Sequence, residues 1–111
     1  MPQATFVHEG DFIDHTPGAD LAAGDVVVQG ELVGVATRPI PANTPGGLAV
    51  EGVFDFAKAT GVGTAIATGA KVYWNDAANQ ATTTATGNKL IGKTVKAATD
   101  ADATVRVRLN Q

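Results

Sequence analysis

Short runs of valine and threonine, interrupted by glycine, aspartate and asparagine about every 8–12 residues, limit the fold of this chain more than any other feature. β-Branched residues favour extended backbone, and the intervening residues are typical of turns. Alanine is the commonest residue, with 20 copies, but it is scattered and does not recur with leucine, glutamate and lysine at helical spacing. The pattern predicts an all-β protein, a small β-sandwich or barrel of jelly-roll-like or Greek-key topology.

Length and composition restrict the class of protein further. The chain has 111 residues, of which 44% are hydrophobic, so we expect one domain over residues 1–111 with residues 1–5 as a flexible N-terminal arm. The formal net charge of −3 argues against binding of nucleic acid or anionic lipid by general electrostatics. The sequence shows no signal peptide and no long apolar run, so we expect synthesis in a cytoplasm and no membrane insertion.

Two neighbouring apolar runs predict the clearest supersecondary element. Residues 26–28 and 32–36 flank a turn at 29–31 and are expected to pair as a hairpin. In the predicted strand 53–57, Phe54 and Phe56 share the face expected to point into the core. The remaining predicted strands are 5–7, 12–13, 48–51, 64–67, 71–74, 80–86, 90–95 and 105–109, and residues 96–103 are expected to form a loop or one helical turn.

Residues 38–47 contain three prolines and two glycines, which neither a helix nor a central strand accommodates. We predict a surface loop here, and long ordered loops on small β domains often form interaction surfaces. Arg38 and Ile40 are the candidate contact residues of this loop.

Two strand segments supply further contact candidates. The alternation over 105–109 places Arg106 and Arg108 on one face, where arginines contact carboxylates of a protein partner or remain solvated. Tyr73 and Trp74 are adjacent on a predicted strand and therefore point to opposite sides. One is expected in the core and the other partly exposed, where an aromatic residue can anchor an interface.

Residues 87–94, Gly-Asn-Lys-Leu-Ile-Gly-Lys-Thr, match the phosphate-loop pattern G-x-x-x-x-G-K-[ST]. In a nucleotide-binding protein Lys93 would reach the outer phosphates and Thr94 would hold Mg²⁺. That mechanism needs a buried parallel strand before the loop and a helix after it. The preceding residues 82–86 are too polar for such a strand, so we interpret the segment as a turn followed by a strand, with Lys93 in solvent.

One group of metal-ligand side chains lies close together in sequence: His8, Glu9, Asp11, Asp14 and His15. The histidines are seven residues apart, which does not match a helical zinc motif, and turn-capping carboxylates with surface histidines are the alternative to a bound metal. Serine and cysteine are both absent, and the parts of a catalytic site do not assemble. We therefore predict a protein that is not an enzyme and has no cofactor.

Several short segments, taken in order, resemble the capsid cement or head decoration family of tailed bacteriophages, once described as a domain of unknown function and sometimes as a predicted phage recombinase. The segments are Ala23-Gly24-Asp25-Val26-Val27, Gly34-Val35-Ala36, Gly46-Gly47, Gly52-Val53-Phe54, Val72-Tyr73-Trp74, Ile91-Gly92 and the terminal Val105-x-Val107-x-Leu109. Their order and spacing carry the resemblance, which extends over nearly the whole chain.

The resemblance implies a structural virion protein on the outer surface of the assembled capsid. Such a protein bridges neighbouring major capsid protein subunits as a homodimer or homotrimer and strengthens the head. The net charge and the missing apolar run, as argued above, predict that it binds neither nucleic acid nor membrane. The candidate capsid or oligomer contacts are the N-terminal arm with Thr5, the loop residues Arg38 and Ile40, and Trp74, Arg106 and Arg108.

Two other functions remain open at the level of sequence. One is a nucleotide-binding phage recombination protein that uses residues 87–94. The other is a generic β-barrel module that binds a sugar or peptide in a cleft lined by Trp74, Tyr73 or the loop 38–47.

Overall fold

The computed structural model describes residues 3, 4 and 10–111. Its β-strands are β1 (Phe12–His15), β2 (Val26–Gln29), β3 (Leu32–Ala36), β4 (Gly46–Ala49), β5 (Gly52–Ala57), β6 (Lys71–Asn75), β7 (Gln80–Thr82), β8 (Lys89–Thr94) and β9 (Thr104–Leu109). This part of the chain contains no helix of the length and apolarity that a membrane crossing requires.

The strands form two antiparallel sheets, which confirms the predicted all-β class and agrees with a small β-sandwich. The first sheet has the order β1-β4-β3-β2, a Greek-key arrangement in which the hairpin-connected strands β2, β3 and β4 place β4 beside β1. The second sheet has the order β5-β9-β8-β6-β7, so that β9, the last strand, lies between β5 and β8.

The predicted hairpin is confirmed. β2 and β3 pair from Val26↔Val35 to Gln29↔Leu32, and the two-residue turn between them has Gly30 at φ 60°. The three valines of β2 are half-buried on both faces, since Val26 and Val28 pack on the main core and Val27 packs on a smaller one.

The main core lies between the two sheets. Val33 and Val35 of β3 meet an aromatic and aliphatic layer from the second sheet, in which the rings of Phe56 and Trp74 are 5.8 Å apart. Phe54 also packs against this cluster, so the predicted inward face of residues 53–57 is confirmed. A smaller cluster is formed by Ala36 and Leu48 of the first sheet with Ile40 of the loop between β3 and β4.

One predicted strand is absent and another is shorter than predicted. Residues 64–67 form no strand, and Ile66 makes only an isolated bridge with Ala98, because the backbone N–H groups of Thr64 and Ala65 donate to the Asp100 carboxylate instead of to a neighbouring strand. The segment 80–86 is extended only over β7, and beyond it the Thr84 N–H donates to the Thr82 hydroxyl. The predicted strand 5–7 lies outside the described residues.

A buried lysine joins the two loops that follow β5 and β8. Lys58 is 4% exposed, and its ammonium donates to the carbonyl oxygens of Ala59, Thr99 and Asp102 at 2.7, 3.0 and 2.8 Å. It also contacts the Thr64 hydroxyl at 3.4 Å. These bonds make residues 96–103 an ordered loop, one of the two forms expected for this segment.

Candidate functional site

Three cations stand side by side on the outer face of the second sheet. Lys71 of β6 lies opposite Lys93 of β8, and Lys93 lies opposite Arg108 of β9. All three side chains are exposed, and directly opposed residues on antiparallel strands have Cβ atoms only about 5 Å apart. We call Lys71, Lys93 and Arg108 the basic row.

A β-bulge brings an apolar residue to the same face. The register of β6 against β8 shifts between Val72 and Tyr73, so that Val72 pairs with Gly92 while Tyr73 pairs with Leu90. Leu90 is consequently exposed, at 39%, on the same face as the basic row. At the other end of the row Val53 of β5 lies opposite Arg108 and is 56% exposed.

Arg106 has a partner within its own chain. Its Nε and Nη2 donate to the two carboxylate oxygens of Asp55 at 2.9 and 3.2 Å, across the β5–β9 pair. The hydrogen bonds from Arg106 lower the pKa of the Asp55 carboxyl, and the same bonds raise the pKa of the guanidinium. Arg106 is therefore neutralised by its neighbour, in contrast to the basic row.

Arg108 lies near an acidic pair at the end of the sheet. Arg108 lines a shallow depression with Asp11 and Glu51. A hydrogen bond with Asp11 is the main cause that raises the pKa of Glu51, while the charge of Arg108 acts in the opposite direction. Within residues 10–111 the ion pairs closer than 4.0 Å are Lys89–Glu31 and Arg106–Asp55, so the basic row has no bonded carboxylate.

Two of the predicted contact residues are buried, and for Ile40 this corrects the expected place in a surface loop. Ile40 is 2% exposed because the loop turns inward there, pairing with Leu21 through two backbone hydrogen bonds of 2.9 Å. Trp74 is 5% exposed, and its indole N–H donates to the Asp76 carboxylate at 3.2 Å. The expected division of the aromatic pair is confirmed, with Trp74 in the core and Tyr73 half-buried.

The loop 38–47 is shorter than predicted. Gly46 and Gly47 belong to β4, and the Ala42 N–H donates to the Asp20 carboxylate at 2.8 Å, which ties the loop to the segment before β2. Arg38 is exposed, as expected. Thr5 and the rest of the predicted arm, except residues 3 and 4, lie outside the described residues.

The segment that matches a phosphate loop is a turn followed by a strand, as interpreted from the sequence. Lys93 is exposed on β8, and Thr94 is 3% exposed. The Thr94 hydroxyl donates to the Ala67 carbonyl at 2.5 Å and accepts from the Ala70 N–H at 3.1 Å. The threonine is thus used to join β8 to the turn before β6.

The candidate metal ligands of β1 do not converge. Asp14 and His15 are neighbours on a strand and project to opposite faces, and His15 Nδ1 lies 2.6 Å from the side-chain nitrogen of Gln29. Across residues 3, 4 and 10–111 no group of three or more His, Cys, Asp or Glu side chains is placed to hold a metal ion. His8 and Glu9 lie outside this part of the chain.

A cleft of about 610 Å³ opens between the two sheets, lined by Phe54, Phe56 and Trp74 together with Asp25 and Asn79. Of the three features expected to line a ligand-binding cleft, Trp74 lies here, whereas Tyr73 and the loop 38–47 do not line this cleft. The Trp74 N–H is already bonded to Asp76, and no buried side-chain nitrogen or oxygen in the described part of the chain lacks a hydrogen-bond partner. The cleft therefore offers aromatic surface without a buried polar group aimed at a ligand.

Sequence reasoning identified Arg108 as a contact candidate but missed Lys71 and Lys93 as its neighbours. The available signal was that all three occupy solvent-facing positions of strands. Their adjacency depends on β8 lying between β6 and β9, and strand order is not a property of any short segment.

The fold and its exposed sheet face define a small all-β protein with a rigid scaffold and a charged, partly apolar surface. The model of the phage cement protein family matches residues 7–109, and the chain belongs to this family. Comparisons with curated proteins and with solved structures gave no match. Membership indicates a structural, capsid-stabilising role, association with the phage capsid and location in the virion, and it suggests a protein that is not an enzyme.

Proposed function

We propose that this protein binds the outer surface of the assembled phage head and stabilises the shell by bridging neighbouring major capsid protein subunits. The observation that carries the proposal is the family match over residues 7–109, which spans nearly the whole chain. The protein acts by binding alone, as a homodimer or homotrimer, and uses no cofactor.

The architecture suits a bridging protein. Hydrogen bonds and core packing connect the two sheets, so contact surfaces on them keep fixed relative positions. A rigid bridge resists the relative movement of two subunits because deforming it would disrupt its own packing. Since a shell carries many copies, modest contacts at each copy add up to a large stabilisation of the whole particle.

The test uses heads assembled without the protein, prepared from a phage in which its gene is deleted. Purified protein is added back, and bound copies per head are measured after sedimentation, together with the temperature at which packaged DNA is released. We expect saturable binding and a higher release temperature. The proposal would be contradicted if mass spectrometry found no copy of the protein in wild-type virions. It would also be contradicted if the purified protein did not bind the heads that lack it.

The oligomeric state is tested separately. Sedimentation equilibrium of the free protein and counting of copies on the head distinguish a dimer or trimer from a monomer that bridges through two faces. A monomer in both states would contradict the oligomer while leaving capsid binding intact.

A further inference from the structure

The outer face of the second sheet concentrates positive charge on an otherwise acidic molecule. The chain has a formal net charge of −3, and without Lys71, Lys93 and Arg108 the remaining five cations and eleven acidic residues would carry −6. Three of the exposed cations therefore occupy adjacent positions on three neighbouring strands, while acidic groups dominate the rest of the molecule.

Repulsion within the basic row lowers the stability of the folded protein. Like charges directly opposite each other on antiparallel strands destabilise a sheet, and both contacts of Lys93 across the sheet are with cations. Two other cations, half-buried Lys89 and exposed Arg106, each have a carboxylate within 2.9 Å or less. In residues 10–111 no carboxylate lies within 4.0 Å of the row, although Asp11 and Glu51 line a depression beside Arg108. Exposed Arg38 and Lys96 also lack an ion pair in this part of the chain, but the cations of the row lie directly opposite one another.

The surroundings of the row favour a protein surface as the partner. Leu90 and Val53 expose apolar side chains beside it, and a shallow groove of about 370 Å³ is lined by Lys71, Leu90, Gly92, Lys93, Arg108 and Asn110. Exposed apolar side chains bordered by polar residues mark protein contact sites, whereas nucleic acid would be repelled by the net negative charge of the whole molecule.

We propose that the basic row, with Leu90 and Val53, is the docking surface for an acidic patch on the outer surface of the phage shell. The inference rests on the proposed function and specifies which face of the protein turns toward the capsid. Carboxylates of the shell would insert between the three cations, relieving their mutual repulsion, and the two apolar residues would be covered at the edges of the contact.

The test compares two charge-matched variants on heads that lack the protein. Lys71→Gln/Lys93→Gln removes two charges from the row, and Lys89→Gln/Lys96→Gln removes two outside it, so each variant has a formal net charge of −5. At low salt we expect the first variant to bind heads about tenfold or more weakly than wild type and the second to stay within about twofold. Wild-type affinity should fall with added NaCl, and the first variant should show a smaller dependence.

A stability measurement separates a docking role from a folding defect. Because Lys71→Gln/Lys93→Gln removes like-charge repulsion, its melting temperature should equal or exceed that of wild type. Weaker binding by a protein that is no less stable would support the docking surface.

Other outcomes would overturn the inference in distinguishable ways. If wild type and Lys71→Gln/Lys93→Gln bind heads equally well, the row is not the docking surface and the proposed function stands. If wild type does not bind heads, the proposed function fails and this inference fails with it. If the variant only breaks a wild-type oligomer, or only abolishes retention of duplex DNA, the row serves a second copy or a nucleic acid instead.

Discussion

The side-chain amide of Gln111 pairs with the backbone of Val33 as a neighbouring strand would. The Val33 N–H donates to Gln111 Oε1 and Gln111 Nε2 donates to the Val33 carbonyl, both at 2.6 Å. β4 pairs with β3 only at Val35 and Ala36, so this edge of β3 would otherwise lack partners at Val33. Gln111 lies two residues after the end of β9, a strand of the second sheet, and Val33 belongs to the first sheet. The amide therefore connects the two sheets of the sandwich.

Substitution of this amide should destabilise the protein. Gln111→Ala leaves the N–H and carbonyl of fully buried Val33 unpaired, and we expect the free energy of unfolding to fall by about 1–3 kcal/mol. Gln111→Glu should also destabilise, because a carboxylate accepts from the N–H but cannot donate to the carbonyl. Chemical denaturation checks both, with Asn110→Ala as the control. A Gln111→Ala protein as stable as wild type would show that water replaces the amide without loss.

Lys58→Met should separate the loops that follow β5 and β8. Methionine keeps much of the aliphatic volume but leaves three carbonyl oxygens and the Thr64 hydroxyl without the ammonium. We expect a loss of about 2–4 kcal/mol in unfolding free energy, since hydrogen bonds to charged groups are the stronger kind. Lys96→Met, at an exposed position, is the matched control. Faster amide exchange at Ile66 and Ala98, which bond to each other, would locate the effect in these loops.

Gly92→Ala should be the most damaging small substitution in β8. Gly92 has φ 154°, and a Cβ there would overlap the carbonyl oxygen of Arg108 on the adjacent strand. We expect a loss on the order of 4 kcal/mol or more, or failure to fold, because backbone and not a flexible side chain blocks the space. Gly18→Ala is the control, since a Cβ at Gly18 meets nothing within 4 Å. Similar melting temperatures for the two variants would contradict the bulge geometry.

The Asp55–Arg106 pair should make stability depend on acid pH. Hydrogen bonds from Arg106 place the pKa of Asp55 in the folded protein below its ordinary value of 3.8. The contribution of the pair is therefore present above pH 3.8 and is lost as the pH falls through the folded pKa. We expect wild type to exceed Asp55→Asn in unfolding free energy at neutral pH, and the difference to shrink in strong acid.

A variant of a second carboxylate provides a comparison. Glu51 affects stability in the opposite direction, because the hydrogen bond with Asp11 raises its pKa above 4.5. The contribution of protonated Glu51 to the free energy of unfolding is therefore present below pH 4.5 and is lost as the pH rises through the folded pKa. Glu51→Gln should therefore gain stability relative to wild type toward neutral pH. A wild-type to Asp55→Asn difference that is constant with pH would contradict the role of the ion pair.

Residues 87–94 should not bind nucleotide. The Thr94 hydroxyl is bonded to Ala67 and Ala70, and Lys93 lies on a strand and not in a loop, so neither is arranged to hold phosphate and Mg²⁺. Titration calorimetry with Mg-ATP should give no binding heat for wild type or for Lys93→Ala. A saturable heat that Lys93→Ala removes would instead support the nucleotide-binding function.

Local pattern was a good guide to strands and faces. The β2–β3 hairpin and the alternation of β9 were predicted because turn chemistry and a period of two residues act over a few neighbouring positions. The same reasoning failed at 64–67, where the Asp100 carboxylate, distant in sequence, takes the backbone N–H groups that a strand would have used. It also misplaced Ile40, whose burial depends on its bridge to Leu21.

The sequence by itself determined the all-β class, the clearest turns and the solvent-facing positions of Arg106 and Arg108, because each follows from interactions between near neighbours in the chain. The tertiary structure alone decided that Arg106 is neutralised by Asp55 while Arg108 stands beside Lys93 and Lys71. The bulge at β8 likewise turns Leu90 and Lys93, three residues apart, to one face against simple alternation. Pairing between distant strands sets these neighbours, and no short stretch of sequence specifies which strands will pair.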